Sequence, residues 1–298
     1  MKLSLDFAFE GFRIVRQRPS VLLFWGLLSL ICGGIAMYLT ISAGGPSLQD
    51  IMNAVNSKNT AAIIAVQSKF ISVTLLSIPF SLIMQALVSN AIFRQVLSGE
   101  AGRFGGLGLG KDELRQIVVV ILFQVMTSLI LMACLAAASL VGAALMAVLG
   151  QAGVALALML GTGVFLWLVA RLSLVPVQSF DQKRINLLGS WELTKGQTSK
   201  LFIGYVIALV LSVIVYFLCV AVIAACVVAF NGGNAAALNP LQDITSLGAK
   251  AFENPVVVTF AVAMNFLVAP LLLAISIGAP AAAYKTLSGK APSAETVF

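Results

Sequence analysis

Gln116 to Ala170 reads QIVVVILFQVMTSLILMACLAAASLVGAALMAVLGQAGVALALMLGTGVFLWLVA, 55 residues without one Asp, Glu, Lys or Arg. Water cannot keep such a segment in solution; a bilayer can. A transmembrane helix needs about 20 mainly apolar residues to cross the ~30 Å hydrocarbon layer, so this stretch holds two crossings and the turn between them. The turn falls at Gly150 to Gly153, where Gln151 is the one clearly polar residue and the flanking glycines permit reversal. It carries no charge, which predicts a small, shallow connection.

The same pattern covers the whole chain. Sixty per cent of its residues are apolar, 10% are charged and the mean hydropathy is +1.04, which predicts an all-α polytopic membrane protein, one integral domain over residues 1–298. Met1 to Ser20 carries Asp6 and Glu10 among its basic residues, and the apolar run from Val21 to Ile41 is too long for the core of a signal peptide. It reads as a retained first span. The net charge of +7 is spread along one side of a threaded chain, so it reports topology and implies no nucleic-acid partner.

Six spans are expected: Val21 to Ile41, Phe70 to Ile92, Ile117 to about Leu140, about Val154 to Val175, Leu201 to Val228, and Val256 to Ala279. The third, fifth and sixth apolar runs exceed one bilayer thickness and must tilt, kink or protrude; Pro270 and Pro280 are the kink points of the sixth. Threaded this way, fifteen Lys and Arg residues fall on one side, and only Lys58, Lys69 and Lys250 on the other. The positive-inside rule then places both termini in the cytoplasm of a bacterial cell, with the chain in its inner membrane.

Two segments outside the spans have amphipathic spacing. In the first, Leu5, Ala8, Phe9, Phe12 and Val15 share a face opposite Asp6, Glu10, Arg13 and Gln17. In the second, Gln182 to Lys200, Ile185, Leu188 and Trp191 can face lipid while Lys183, Arg184 and Lys195 face the surface. Both fit helices lying in the membrane interface, or plain solvated connectors. The order of interfacial segment, span, loop and span recurs at residues 3–92, 103–175 and 182–283. Leu48-Gln49-Asp50-Ile51 in one outer loop is repeated as Leu241-Gln242-Asp243-Ile244 in another. This reads as a threefold repeat of helical hairpins, or as a four-residue coincidence.

Catalytic chemistry finds little footing. There is no His, no CxxC pair among Cys32, Cys134, Cys219 and Cys226, and no Asp or Glu in the middle of a span, so neither a metal site nor a cofactor is expected. Gly105 to Lys111 has the look of a phosphate-binding loop, but Asp112 stands where Ser or Thr should hold magnesium and no strand precedes it. A flexible lead into span three, capped by Asp112, is the better reading. Gln85, Gln124 and Asn265 are the polar residues that would line a cavity if one runs through the spans; otherwise they join helices. Small residues such as Ala136, Ala137, Gly142, Gly161 and Gly163 suggest close packing of spans three and four. Arg171, the ionisable residue nearest hydrocarbon, either pairs with Asp181 or contacts a lipid headgroup together with Lys183, Arg184, Trp191 and Lys195.

Arg171-Leu172-Ser173-Leu174-Val175-Pro176, then Asp181 and Ser190-Trp191-Glu192-Leu193-Thr194-Lys195-Gly196, resembles the signature of the glycerophosphoryl diester phosphodiesterase membrane-domain family and the YciC-like bacterial inner-membrane proteins; Ala283-Tyr284-Lys285-Thr286-Leu287 is similar to their last-span ending. The resemblance implies an all-helical membrane module, separate from the soluble catalytic barrel that only some members carry. The chain has no room for that barrel. The expected function is therefore a non-enzymatic module that binds membrane lipids, another membrane protein or a second copy of itself as a scaffold in envelope or lipid homeostasis. The alternative is a transporter or flippase-like carrier of an uncharged or amphipathic molecule.

Overall fold

The structure, a computed structural model, describes residues 3–43, 48–57, 59–99, 102–239 and 254–289. After a 3₁₀ turn at Leu5–Phe9 come α1 (Glu10–Gln17), α2 (Ser20–Ser42), α3 (Leu48–Asn56) and α4 (Thr60–Ser98). A second 3₁₀ turn, Arg103–Gly106, leads to α5 (Lys111–Leu149), α6 (Gln151–Leu172), α7 (Val175–Asp181), α8 (Gly189–Leu193) and α9 (Thr198–Phe230). The last span combines α10 (Pro255–Ala263), a π-helical turn at Met264–Val268 and α11 (Ala269–Leu287). No strand occurs among the described residues. Six helical stretches are long and apolar enough to cross a membrane, and the protein is a multi-pass membrane protein.

Lipid-facing surface explains the outer walls. Val148, Met159 and Leu140 are 81%, 75% and 74% exposed, burdens no water-soluble helix would carry along its length. Packing is concentrated at the end of the bundle that carries most of the basic residues, called here the basic end. There Ala86 to Phe93 of α4 are buried without interruption, the mark of a central helix covered on all sides. Trp25, Leu174, Leu201 and Ile275 are fully enclosed around it, as is Ile92 of α4 itself. Toward the far end fewer residues are buried outside the α5–α6 contact, because lipid tails solvate Leu and Val as well as a neighbouring helix does.

α4 and α5 have 39 residues each, about 58 Å at 1.5 Å per residue, well beyond the ~30 Å hydrocarbon layer. α5 turns into α6 through Gly150 alone, at φ 60 and ψ −142, a conformation that excludes a side chain. The two helices then pack through Ala138 and Gly142 against Gly153, Ala157 and Gly161, spaced four apart on each side. Gly142 and Gly161 thus hold the expected contact; Ala136 and Ala137 are exposed and Gly163 meets nothing, so Ala138, Gly153 and Ala157 take their place.

Pro270 lies in the first turn of α11, just after the π turn, where the ladder is already opened; Pro280 is inside α11, and Pro79 inside α4. The bulged backbone sits against glycines of α2. A Cβ on Gly26 would overlap the Phe266 carbonyl, and one on Gly33 would overlap Asn265 Oδ1.

The N-terminal segment departs from expectation. It does not lie on the surface: Leu3, Phe7, Ala8 and Ile14 are buried in the main core, while Leu5 and Phe9 face outward. Glycines make the insertion feasible. A Cβ on Gly278 would stand 2.8 Å from the Gly11 backbone, so α1 and α11 cross in direct contact, and Gly204 of α9 leaves the space filled by the Phe7 ring. The second segment is no single helix: a turn follows α7, α8 covers Gly189–Leu193 and α9 starts at Thr198. Asn186 accepts from the Gly189 N–H at 2.9 Å at the entry to α8, and Lys183 adopts a left-handed φ of 51. The Leu-Gln-Asp-Ile recurrence is half visible: residues 48–51 open α3, whereas 241–244 lie outside the described residues.

Candidate functional site

The glycine-rich loop is a clasp. Carbonyl oxygens, not N–H groups, point into the protein: Gly105 accepts from Trp25 Nε1 at 3.0 Å and Gln95 Nε2 at 3.3 Å, and Gly106 accepts from Arg94 Nη1 at 2.7 Å. A phosphate cradle needs the opposite polarity. Arg94 also pairs with Glu113 in the first turn of α5, a carboxylate 6% exposed, and stacks over Phe180. The loop is thereby pinned where a flexible lead was expected. Gly110 occupies the N-cap with no side-chain bond, and Asp112 pairs with Arg115 at 2.9 Å inside the helix instead of capping it.

Arg171 sits in the last turn of α6, where α7 and α8 fold back beneath it and form a second clasp. Its Nη2 donates to the Trp191 carbonyl at 2.7 Å and its Nε to Thr194 Oγ1 at 3.4 Å. Its guanidinium lies 3.7 Å from the Trp191 ring centroid and 5.4 Å from that of Trp167, and the two indoles meet edge to face. The Arg171 carbonyl in turn accepts from Ser190 Oγ at 3.0 Å. The pairing expected with Asp181 gives way to this arrangement, because α7 carries Asp181 toward α11, where it accepts from the Tyr284 hydroxyl at 2.8 Å.

Of the expected headgroup contacts, the structure brings together Arg171 and Trp191. Lys183 and Arg184 are exposed on the α7–α8 turn, with Arg184 Nε donating to Gln182 Oε1 at 3.1 Å, and Lys195 is exposed just after α8. Arg184 lines a polar hollow of about 500 Å³ with Gln178, Asn186, Glu192 and Tyr284. The three polar residues considered for a through-going cavity stand apart from one another. Gln124 is exposed on α5, Gln85 is half-buried on α4, and Asn265 donates to Ala261 in its own helix at 3.0 Å. Thr194 enters the sequence analysis only within the Ser190–Gly196 motif and Trp167 not at all, although Trp167 stands four residues before Arg171, the spacing that stacks side chains along one helix face.

Two residues beyond Arg171, a groove of about 850 Å³ opens between α6, α9 and α11. Small side chains leave it unfilled: Ala208 and Ser212 on α9, Ala269, Ser276 and Ala279 on α11. Four of its five hydroxyls are already engaged. Ser173 and Tyr205 bond each other at 2.6 Å at the basic end, Ser212 donates to the Ala208 carbonyl and Ser276 to that of Leu272, each at 2.8 Å. What remains to a ligand is the Tyr216 hydroxyl and a wall of hydrocarbon. The volume lies within the ~300–1,000 Å³ of pockets that hold small molecules. Comparison of the chain with protein-family models, with curated proteins and with solved structures finds no match in any of the three.

Proposed function

We propose that this protein is a non-enzymatic module of the bacterial inner membrane, with cytoplasmic termini, that holds the acyl chain of a membrane lipid in the groove between α6, α9 and α11. It serves there as a lipid-binding scaffold in envelope or lipid homeostasis. The observation that carries the reading is the groove wall: large, apolar, and with Ser173, Tyr205, Ser212 and Ser276 turned to one another or to their own helices. A polar solute would find only the Tyr216 hydroxyl left to bond, whereas an acyl chain needs none. The resemblance of residues 171–200 to the phosphodiesterase membrane-domain family supports the same class, since Arg171, Ser190, Trp191 and Thr194 are the residues of the clasp beside the groove.

Native mass spectrometry of the full chain in a mild neutral detergent tests this. The parent protein should retain phospholipid, and the groove-filling double variant S212F/S276F should lose most of it while keeping its melting temperature within a few degrees. Equal retention by parent and variant would remove the groove from the function. Parent-dependent movement of a reporter lipid between vesicle leaflets would replace the scaffold with the carrier.

A further inference from the structure

A second cluster at the basic end holds cations without matching anions. Arg13 of α1, Arg18 just after it and Lys285 of α11 surround a hollow of about 180 Å³, lined also by Glu10, Gln17 and Gln95. Two of these cations cap a helix. α4 ends at Gly99, which turns left-handed at φ 73, and its last carbonyls have no helical donor. Lys285 Nζ donates to Val96 O at 2.6 Å and Arg18 Nη2 to Gly99 O at 3.0 Å.

Capping leaves most of their donors over. An ammonium has three N–H groups and a guanidinium five; these bonds engage one of each. Among the described residues, the carboxylate lining the hollow is Glu10, and it is held by Arg13 at 2.7 Å. Three cations against one carboxylate leave the described lining doubly positive, and N–H groups facing a shared space suit an oxyanion with several acceptor atoms. At ~30 Å³ per water the space equals about six waters, room for a phosphate group but not for a nucleoside as well.

The surroundings identify what the phosphate is attached to. Arg13 and Gln17 also border a shallow hollow formed with Phe9, Phe12, Val15 and Arg16. Phe9 is 49% exposed there, on the side of α1 turned away from the core. We propose that Arg13, Arg18 and Lys285 form a phosphate site for an anionic phospholipid, whose acyl chain lies along Phe9, Phe12 and Val15. The site depends on the reading of the chain as a lipid-binding module only for the nature of its ligand, and it shares no residue with the α6–α9–α11 groove.

The test uses the full chain in maltoside detergent, titrated with phosphatidylglycerol, phosphatidylcholine and sn-glycerol 3-phosphate. Phosphatidylglycerol should bind best. R13Q, whose native side chain is 63% exposed and makes no cap, should weaken it about tenfold, and R18Q/K285M further. F9S/F12S should weaken phosphatidylglycerol and leave glycerol 3-phosphate unchanged. Parent-like binding of phosphatidylglycerol by R13Q and by a still-folded R18Q/K285M would overturn the site. Equal affinity for glycerol 3-phosphate and phosphatidylglycerol, unaltered in F9S/F12S, would overturn its assignment to lipid. S212F/S276F should titrate like the parent here, so failure of the groove and failure of this site are read separately.

Discussion

At the scale of single residues, the informative groups are cations that have found partners other than carboxylates. Arg171 is 9% exposed and rests on two indole faces, one backbone carbonyl and one hydroxyl. A guanidinium suits this site because it is planar, stacks on aromatic rings and is less strongly hydrated than an ammonium. Replacing it removes the donor from the Trp191 carbonyl and unseats α8 from α6. R171A should lower unfolding stability in detergent by about 1.5–3 kcal/mol, the range for a hydrogen bond to a charged group, and R171K should recover only part of that. A loss below about 0.5 kcal/mol in denaturant titration would mean the clasp does not hold α8. The sequence offers Arg171 a pairing with Asp181 or a headgroup shared with Lys183, Arg184, Trp191 and Lys195; in the structure Trp191 contacts the guanidinium directly. Asp181 is ten residues away along the chain, and only the course of α7 shows that it faces Tyr284 instead.

At the scale of elements, glycine placement decides more than hydrophobic periodicity. The apolar spacing of Leu5, Ala8, Phe9, Phe12 and Val15 is real, but the five do not share one environment: Leu5 and Phe9 face outward, Ala8 is buried, and Phe12 and Val15 are half-buried against the core. Leu3, Phe7, Gly11 and Ile14 complete the buried side, through which the segment docks. A helix with apolar residues on two sides has two uses, and periodicity alone cannot say which side meets protein. Gly11 and Gly278 do, since backbone contact at their crossing leaves no space for a side chain. G11V should therefore cost about 1–3 kcal/mol by overpacking and free α1 from α11. Limited trypsin digestion of membranes would register this as new cleavage at Arg13 and Arg16; a variant as resistant as the parent would show that the crossing tolerates a side chain.

At the scale of the molecule, the protein is a bundle whose main core lies at its basic end. The ties are polar as well as apolar: Arg94 with Glu113 and Gly106, Lys285 with Val96, Tyr284 with Asp181. This end should face the cytoplasm. In a background with all four native cysteines changed to Ala, S57C after α3 should react with an impermeant maleimide on intact cells. L188C, at a position 73% exposed on the α7–α8 turn, should react only after permeabilisation. Labelling of L188C in intact cells would reverse the orientation and, with it, the leaflet assigned to both proposed lipid sites.

What the sequence by itself determined is the part of the fold that the solvent dictates. Lipid demands helices of about 20 or more apolar residues with their backbone bonds closed, and so the six spans, the turn at Gly150 and the segregation of charge to one end are legible from residue order alone. The tertiary structure decided everything that depends on which faces meet: that the N-terminal segment docks on α9 through Phe7 and on α11 through Gly11, that the glycine loop turns its carbonyls inward onto Trp25 and Arg94, and that Ala208, Ser212 and Ser276 border one groove. Nearly every face of these helices is apolar, so composition cannot mark a contact. Small residues and a few buried polar bonds, brought together from distant parts of the chain, select the packing.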